Sequence, residues 1–184
     1  TNQLTSLDVS QNTALTYLDC SENFITSLDV SNNTALIALH CYSNQLTSLD
    51  VSGSTSLTEL VCGDNQLTSL NVSQNTALTS LGCVANQLTS LDVSNNTALN
   101  HLNCAYNQLT SLDVRNGNNM SINPVLINLS NNPNLYCINV DDSTYSTNNW
   151  TNIDPQHYFS NNCSGTTSIQ EHTTNKELLK VTDL

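Results

Sequence analysis

The chain has 184 residues, with 15 acidic side chains against 3 basic ones and a formal net charge of -12. The basic residues are Arg115, Lys176 and Lys180, and binding a phosphate backbone needs clustered cations that displace counterions, so nucleic-acid binding is excluded for everything before position 115; anionic lipid is disfavoured on the same ground. No run approaches the roughly 18 to 20 consecutive apolar residues of a membrane span, and no charged-then-apolar leader opens the chain. The first residues already lie inside a repeat, so the chain reads as a fragment or mature piece of a longer product.

A unit of 21 residues starts at Asn2 and returns at Asn23, Asn44, Asn65, Asn86 and Asn107. The first copy is NQLTSLDVSQNTALTYLDCSE and the fifth NQLTSLDVSNNTALNHLNCAY. One such unit cannot bury its apolar side chains alone, and a period of this length means a stacked array. Each copy carries L-x-x-L-x-(V or C) twice, first as Leu4, Leu7 and Val9, then as Leu15, Leu18 and Cys20. The alternation at the end of each half predicts a short strand with one face inward. The Asn- and Ser-rich segments between the halves predict turns. A half of about ten residues cannot close around a core at roughly 3.3 Å per strand residue, so the whole unit is one coil. Stacked at about 4.8 Å, the coils predict an all-β parallel β-solenoid over residues 1–140, with two short strands per coil and little curvature.

Three columns recur along this stack. Asn2, Asn23, Asn44, Asn65, Asn86 and Asn107 are expected to point inward and satisfy backbone groups at the turns. Cys20, Cys41, Cys62, Cys83 and Cys104 occupy the last inward slot of one strand. A straight row cannot surround an ion tetrahedrally, and side-by-side placement is poor for a disulfide, so these read as reduced, buried, small apolar residues. Asp8, Asp29, Asp50, Asp92 and Asp113, interrupted by Asn71, form an outward column on the other strand. Like charges at one-coil spacing must be solvated, hydrogen-bonded or bridged by cations; a solvated stripe is favoured over a calcium site.

What differs between copies is where function is sought. On the Cys-containing strand the outward slots hold Tyr17 and Asp19, Ala38 and His40, Glu59 and Val61, Ser80 and Gly82, then His101 and Asn103. Glu22, Tyr42, Asp64, Val84 and Tyr106 lie just beyond. The other strand repeats Thr, Ser, Asp and Ser nearly unchanged. A uniform scaffold face beside an individual one suits recognition, and Tyr and His offer a partner an apolar body with a polar tip. Neutral drift on a solvated sheet is the plain alternative. The candidate partner-binding residues are Tyr17, Asp19, His40, Tyr42, Glu59, Asp64, His101, Asn103 and Tyr106.

The register breaks after Val114. Aligning NNPNLYCINV with NTALTYLDC puts Leu135, Ile138 and Val140 inward and Cys137 in an outward slot. The one remaining cysteine is Cys163, beyond a polar segment with Trp150, Tyr158 and Phe159. These aromatics are expected to cover the end of the stack as a cap over 141–165, pinned by a Cys137–Cys163 disulfide. Residues 166–184 read as a linker and the start of a further domain.

The pattern L-x-x-L-x-C-x-x-N-x-L-x-x-L-D-V resembles the leucine-rich repeat, in its short 21-residue bacterial class, over roughly residues 2–140. The resemblance implies a parallel sheet at the Cys-containing half that carries a binding surface. The cap resembles that of flavobacterial proteins of this class. The tail TTNKELLKVTDL resembles the opening of the C-terminal sorting domain of type IX secretion substrates, which implies secretion or attachment at the outer cell surface, an oxidising setting that suits the bridge.

The expectation is therefore a non-enzymatic extracellular module that recognises or adheres to a protein or glycan through the variable sheet, with no cofactor. A spacer rod displaying another domain is the alternative. Ice binding by the regular Thr and Ser face is a weaker one, because the interleaved Asp column orders water in its own way. Catalysis is not expected: His40, His101, His157 and His172 share no coil position, and no nucleophile elbow or phosphate-cradling glycine loop occurs.

Overall fold

The protein is described here by a computed structural model over residues 2–163. In chain order its elements are β1 (Tyr17–Asp19), β2 (Ala38–His40), β3 (Glu59–Val61), β4 (Ser80–Gly82), β5 (Ser90–Asp92), β6 (His101–Asn103), β7 (Ser111–Asp113), β8 (Ile127–Asn128), β9 (Cys137–Asn139), α1 (Ser143–Asn149) and β10 (Tyr158–Ser160), with one 3-10 turn at Asn119–Ser121. The Cys-containing halves build a six-stranded parallel sheet in the order β1-β2-β3-β4-β6-β8. Leu18, Leu39, Leu60, Leu81, Leu102 and Ile127 follow one another across it, each paired with its counterpart in the next coil. From Leu39 to Leu102 these are wholly buried, as inward slots of a period-two pattern should be. The chain is a parallel β-solenoid.

The opposite side is built differently. Its four-stranded sheet, β10-β9-β7-β5, begins only at Ser90. In earlier coils the LDV half runs without strand pairing, and single bonds such as Phe24 N to Leu4 O and Gln45 N to Ile25 O, 2.8 and 2.9 Å, link one coil to the next. Packing of the buried Val30, Val51 and Val72 sets the register there. The ladder appears where β9 and β10 extend it.

Two asparagine columns hold the turns. The unit-leading one is the column expected from the repeat, except that Asn2, with no coil before it in this chain, is exposed: the Asn44 amide donates to the carbonyls of Cys20, Cys41 and Tyr42 and accepts from Ile25 N, and Asn65, Asn86 and Asn107 repeat the set. The second, at Asn33, Asn75 and Asn96, lies inside the turn segments and is fully buried. Asn33 Nδ2 donates to Val9 O and Asn12 O of the preceding coil, at 3.1 and 2.9 Å. Ser54 breaks this column, and beside it a Cβ on Gly53 would lie 2.6 Å from Ser31 O, so this coil sits too close for any larger residue at 53.

The end of the stack corrects one expected register. Leu135, Ile138 and Val140 are buried, but β9 continues the LDV side, with Ile138 opposite Leu112. The Cys side continues instead through β8, where Leu129 fills the slot of the cysteine column. Asn132 becomes the next unit-leading asparagine, bonding Cys104 O, Leu129 O and Ser130 O. It accepts from Leu109 N across 23 positions, where Asn107 accepts from Leu88 N across 19, so the chain has inserted four residues before it. The insertion conceals the repeat, and a gapless alignment places the segment on the wrong sheet.

Beyond it the chain forms α1, which sequence reading did not anticipate in this Ser-, Thr- and Asn-rich stretch; the Asp142 side chain caps it by accepting from Tyr145 N. Trp150 and Phe159 then cover the core edge-to-face at 5.5 Å. Tyr158 sits in an outward slot of β10, so it does not join them in covering the core. Cys137 and Cys163 are disulfide-bonded. From the Asn23 turn to the Asn107 turn the N–H groups are met by carbonyls of the next coil; at the last, the Asp154 carboxylate replaces them, accepting from Asn131 N and Asn132 N at 2.7 and 2.8 Å. Asp154→Ala is expected to cost about 1 to 3 kcal/mol in chemical denaturation, because it leaves Asn132 N, on a buried residue, unpaired while water reaches the exposed Asn131 N; a loss under about 0.5 kcal/mol would contradict this.

Denatured without reductant, the protein should titrate five thiols, since the free cysteines are Cys20, Cys41, Cys62, Cys83 and Cys104. Opening the bridge, which closes a loop with a sequence separation of 26, should cost about 3 to 4 kcal/mol. The expected linker at 166–184, with Lys176, Lys180, His172 and the sorting-domain resemblance, lies outside the described residues.

Candidate binding surface

The outward side of the six-stranded sheet brings most of the variable residues together in two rows. Tyr17, Ala38, Glu59, Ser80 and His101 form one; Asp19, His40, Val61, Gly82 and Asn103 form the other. Because parallel coils add one strand each, neighbours in a row come from positions 21 apart in sequence. At the β1 end they make a connected cluster. The Tyr17 hydroxyl lies 3.3 Å from His40 Nδ1, with the rings edge-on at 5.4 Å, and His40 Nε2 lies 3.2 Å from Glu59 Oε1. Partial desolvation, and then the negative charges of Asp19 and Glu59, push the Tyr17 phenol up, so it stays a neutral donor. Asp19 accepts from Ser21 N, the leading reason its carboxyl lies below the ordinary value. At the other end His101 Nδ1 lies 3.1 Å from Ser80 Oγ, and Asn103 Oδ1 accepts from Ala105 N. Between the ends Ala38, Val61 and Gly82 leave a low, small-residue floor.

The residues beyond the strands fall into two slots, where the sequence suggested one. Glu22, Asp64 and Tyr106 share a slot with Ser43 and Ala85, all with φ between 51 and 56°. This left-handed turn aims the chain so that the following asparagine faces inward, at a steric cost of roughly 1 kcal/mol in each coil. Tyr42 and Val84 sit one residue earlier. Tyr106 is 61% exposed, the most open aromatic of the set.

The cysteine column is buried, and burial pushes every thiol up: Cys20 to about 11, Cys83 to about 12, and the others further. Thiols held protonated in this way are poor nucleophiles and poor metal ligands. On the opposite face each Asp of the acidic column turns into its own loop, accepting from the N–H two residues on, as Asp29 does from Ser31 and Asp50 from Ser52 at 2.9 Å. That backbone bond leads the lowering of Asp8 and Asp29. Among the described residues no three His, Cys, Asp or Glu side chains converge as a metal cluster.

One part of the surface was not singled out from sequence. The register of β6 with β8 sets Leu126 opposite His101, so the first row ends on a 40% exposed leucine. The inserted segment adjoining it exposes Met120 and Val125 by 70 and 80%. The available signal was an apolar pair after Pro124 in an otherwise polar stretch.

No protein-family model matches the chain, and no curated protein matches it. Solved structures do. The chain is similar to the functional domain of InlJ from Listeria monocytogenes, which includes a cysteine ladder, at 34% identity over 86% of this chain and 37% of that one, with a TM-score of 0.63. An internalin of the same organism, InlF, is 25% identical over 80% of this chain and 43% of its own, with a TM-score of 0.51. A leucine-rich-repeat protein of Leptospira interrogans shares the fold at 21% identity, over 86% of this chain and 40% of its own, with a TM-score of 0.58. The chain thus spans well under half the length of each of these structures. The fold is a leucine-rich-repeat solenoid similar to these bacterial proteins. No helix among the described residues is long and apolar enough to cross a membrane.

Proposed function

We propose that the chain is a non-enzymatic, extracellular recognition or adhesion module that binds a protein or glycan through the outward side of its six-stranded sheet. The observation that carries this is the contrast between two faces of one scaffold: the Cys side offers a different pair of side chains in each coil, whereas the LDV side repeats itself. The likeness to InlJ and InlF supports a binding scaffold, and the disulfide suits an oxidising compartment. Tyr17 bonds His40 and Asp19 bonds the backbone, and the Ser80–His101 pair, at 3.1 Å, has among the described residues no carboxylate bonded to the imidazole to orient it as a catalytic base requires.

A glycan and protein array screen of the isolated chain identifies the class of ligand. Replacing Tyr17, His40, Tyr42, His101 and Tyr106 with Ala should then abolish attachment and leave the melting temperature near wild type, because these side chains lie outside the core. Thr5, Ser27, Ser48 and Ser69 replaced together on the uniform side should leave attachment intact. Attachment that survives the first set would favour the spacer rod instead.

A further inference from the structure

Resting on the reading that the variable sheet is the recognition surface, we infer that its partner is an extended protein segment carrying a Lys or Arg and, about four to seven residues away, an aliphatic or aromatic side chain. Two ends of the sheet differ in chemistry. Asp19, Glu22, Glu59 and Asp64 lie on or beside the strands toward the β1 end, and no Lys or Arg precedes Arg115. Arg115 is engaged elsewhere, its Nη2 lying 2.5 Å from Asp113 Oδ2 on the opposite side. Among the described residues no Lys or Arg lies beside these carboxylates, and the acidic end complements a cation.

At the β8 end Met120, Val125 and Leu126 form an exposed apolar lip. The lip is built: Asn123 N donates to Asn100 O and Leu126 N to Asn123 O, at 3.1 and 2.9 Å, and the Tyr145 hydroxyl from α1 reaches Met120 O. Clustered exposed aliphatics on a polar surface mark an interaction site. They offer a sugar neither hydrogen bonds nor a ring to stack on, but they suit an apolar side chain of a protein.

The strand order gives the spacing. Glu59 and Asp19 lie three and five strands from Leu126, or about 14 and about 24 Å at roughly 4.8 Å per strand. An extended segment lying across the strands at about 3.4 Å per residue covers this in four to seven residues.

The test is selection of a random dodecapeptide phage library on the immobilised chain, followed by fluorescence anisotropy with the most enriched peptide. The expected sequences pair Lys or Arg with Leu, Ile, Met or Phe at that spacing. Affinity should fall at least tenfold with Val125→Asp/Leu126→Asp, separately with Asp19→Lys/Glu59→Lys, and several-fold between 50 and 300 mM salt, as expected for opposed charges when the screening length shrinks from about 14 to about 5.5 Å. Thermal melts check each variant, and Val125→Ser/Leu126→Ser replaces the Asp pair if that unfolds. A peptide that loses binding with Tyr17→Ala/His40→Ala but not with the lip variants overturns the inference and leaves the sheet reading standing; so does a glycan bound on the sheet with no peptide enriched. A peptide indifferent to both sets overturns both.

Discussion

Raising the pH from 9 to 11 is expected to remove most of the protein's stability, at a slope approaching about 7 kcal/mol per pH unit. The five free thiols are buried and their folded values are all raised, with desolvation as the leading cause. In the unfolded chain they ionise near 8.5 to 9, so above that pH the unfolded state has released protons that the native state still holds. A group whose folded value is raised stabilises fully below its unfolded value, and that contribution declines as pH rises toward the folded value. Each thiol adds about 1.4 kcal/mol per pH unit to the decline. Against a typical total of about 5 to 15 kcal/mol, the array should unfold within one to two units above pH 9. Urea titrations at fixed pH values from 7 to 11 measure the slope. Cys62→Ala/Cys83→Ala/Cys104→Ala should reduce it to about 3 kcal/mol per unit, whatever the variant's stability at neutral pH. Equal slopes for the variant and the wild type would show that the cysteine column is not what fails.

Asn65→Leu is expected to cost about 2 to 4 kcal/mol, although Leu has the same branched arrangement of heavy atoms and is more apolar. The Asn65 amide donates to Cys41 O, Cys62 O and Gly63 O at 3.0, 3.1 and 3.1 Å, and its Oδ1 accepts from Leu46 N at 2.9 Å. Leucine leaves Leu46 N in the interior without an acceptor, at about 1 to 3 kcal/mol, and removes one of two donors from each carbonyl, since Cys41 O keeps Asn44 Nδ2, Cys62 O keeps Asn86 Nδ2 and Gly63 O keeps Ser43 N. Asn65→Asp keeps the acceptor for Leu46 N but turns a carboxylate toward three carbonyl oxygens, and should be no better. Gln66→Leu, on the exposed neighbour, provides the control and should stay within about 0.5 kcal/mol of wild type. Guanidinium titration of the three variants decides it. A small loss at Asn65 would mean that Leu46 N finds another acceptor and that the column is not needed to hold the turns.

Both results concern positions that the sequence itself makes legible, since Asn65 and the cysteines announce themselves by recurring every 21 residues. Turn asparagines such as Asn33 and Asn96 recur with the same period, yet they read as loop residues. Loop composition alone does not distinguish an Asn that bonds its own turn from one that reaches into the preceding coil. The inserted segment before Asn132 was illegible for another reason: four extra residues shift the register without changing residue types, and only the bonds from Asn132 to Cys104 O and Leu129 O reveal where the repeat resumes.

The candidate surface divides along the same line. That Tyr17, His40, Glu59 and His101 face outward follows from strand alternation alone, because each lies one slot from an inward Leu. That Tyr17, His40 and Glu59 form one cluster, that Tyr42 and Tyr106 fall in different slots, and that Leu126 completes the row needed the coils to be stacked. The period of the sequence determined the solenoid, its two faces and its buried columns, because a strict repeat leaves one way to bury every leucine. Tertiary structure decided which side carries a continuous ladder, where the broken repeat re-enters the stack and how the cap satisfies its last donors. Those outcomes depend on contacts between coils at the point where the repeat stops constraining them.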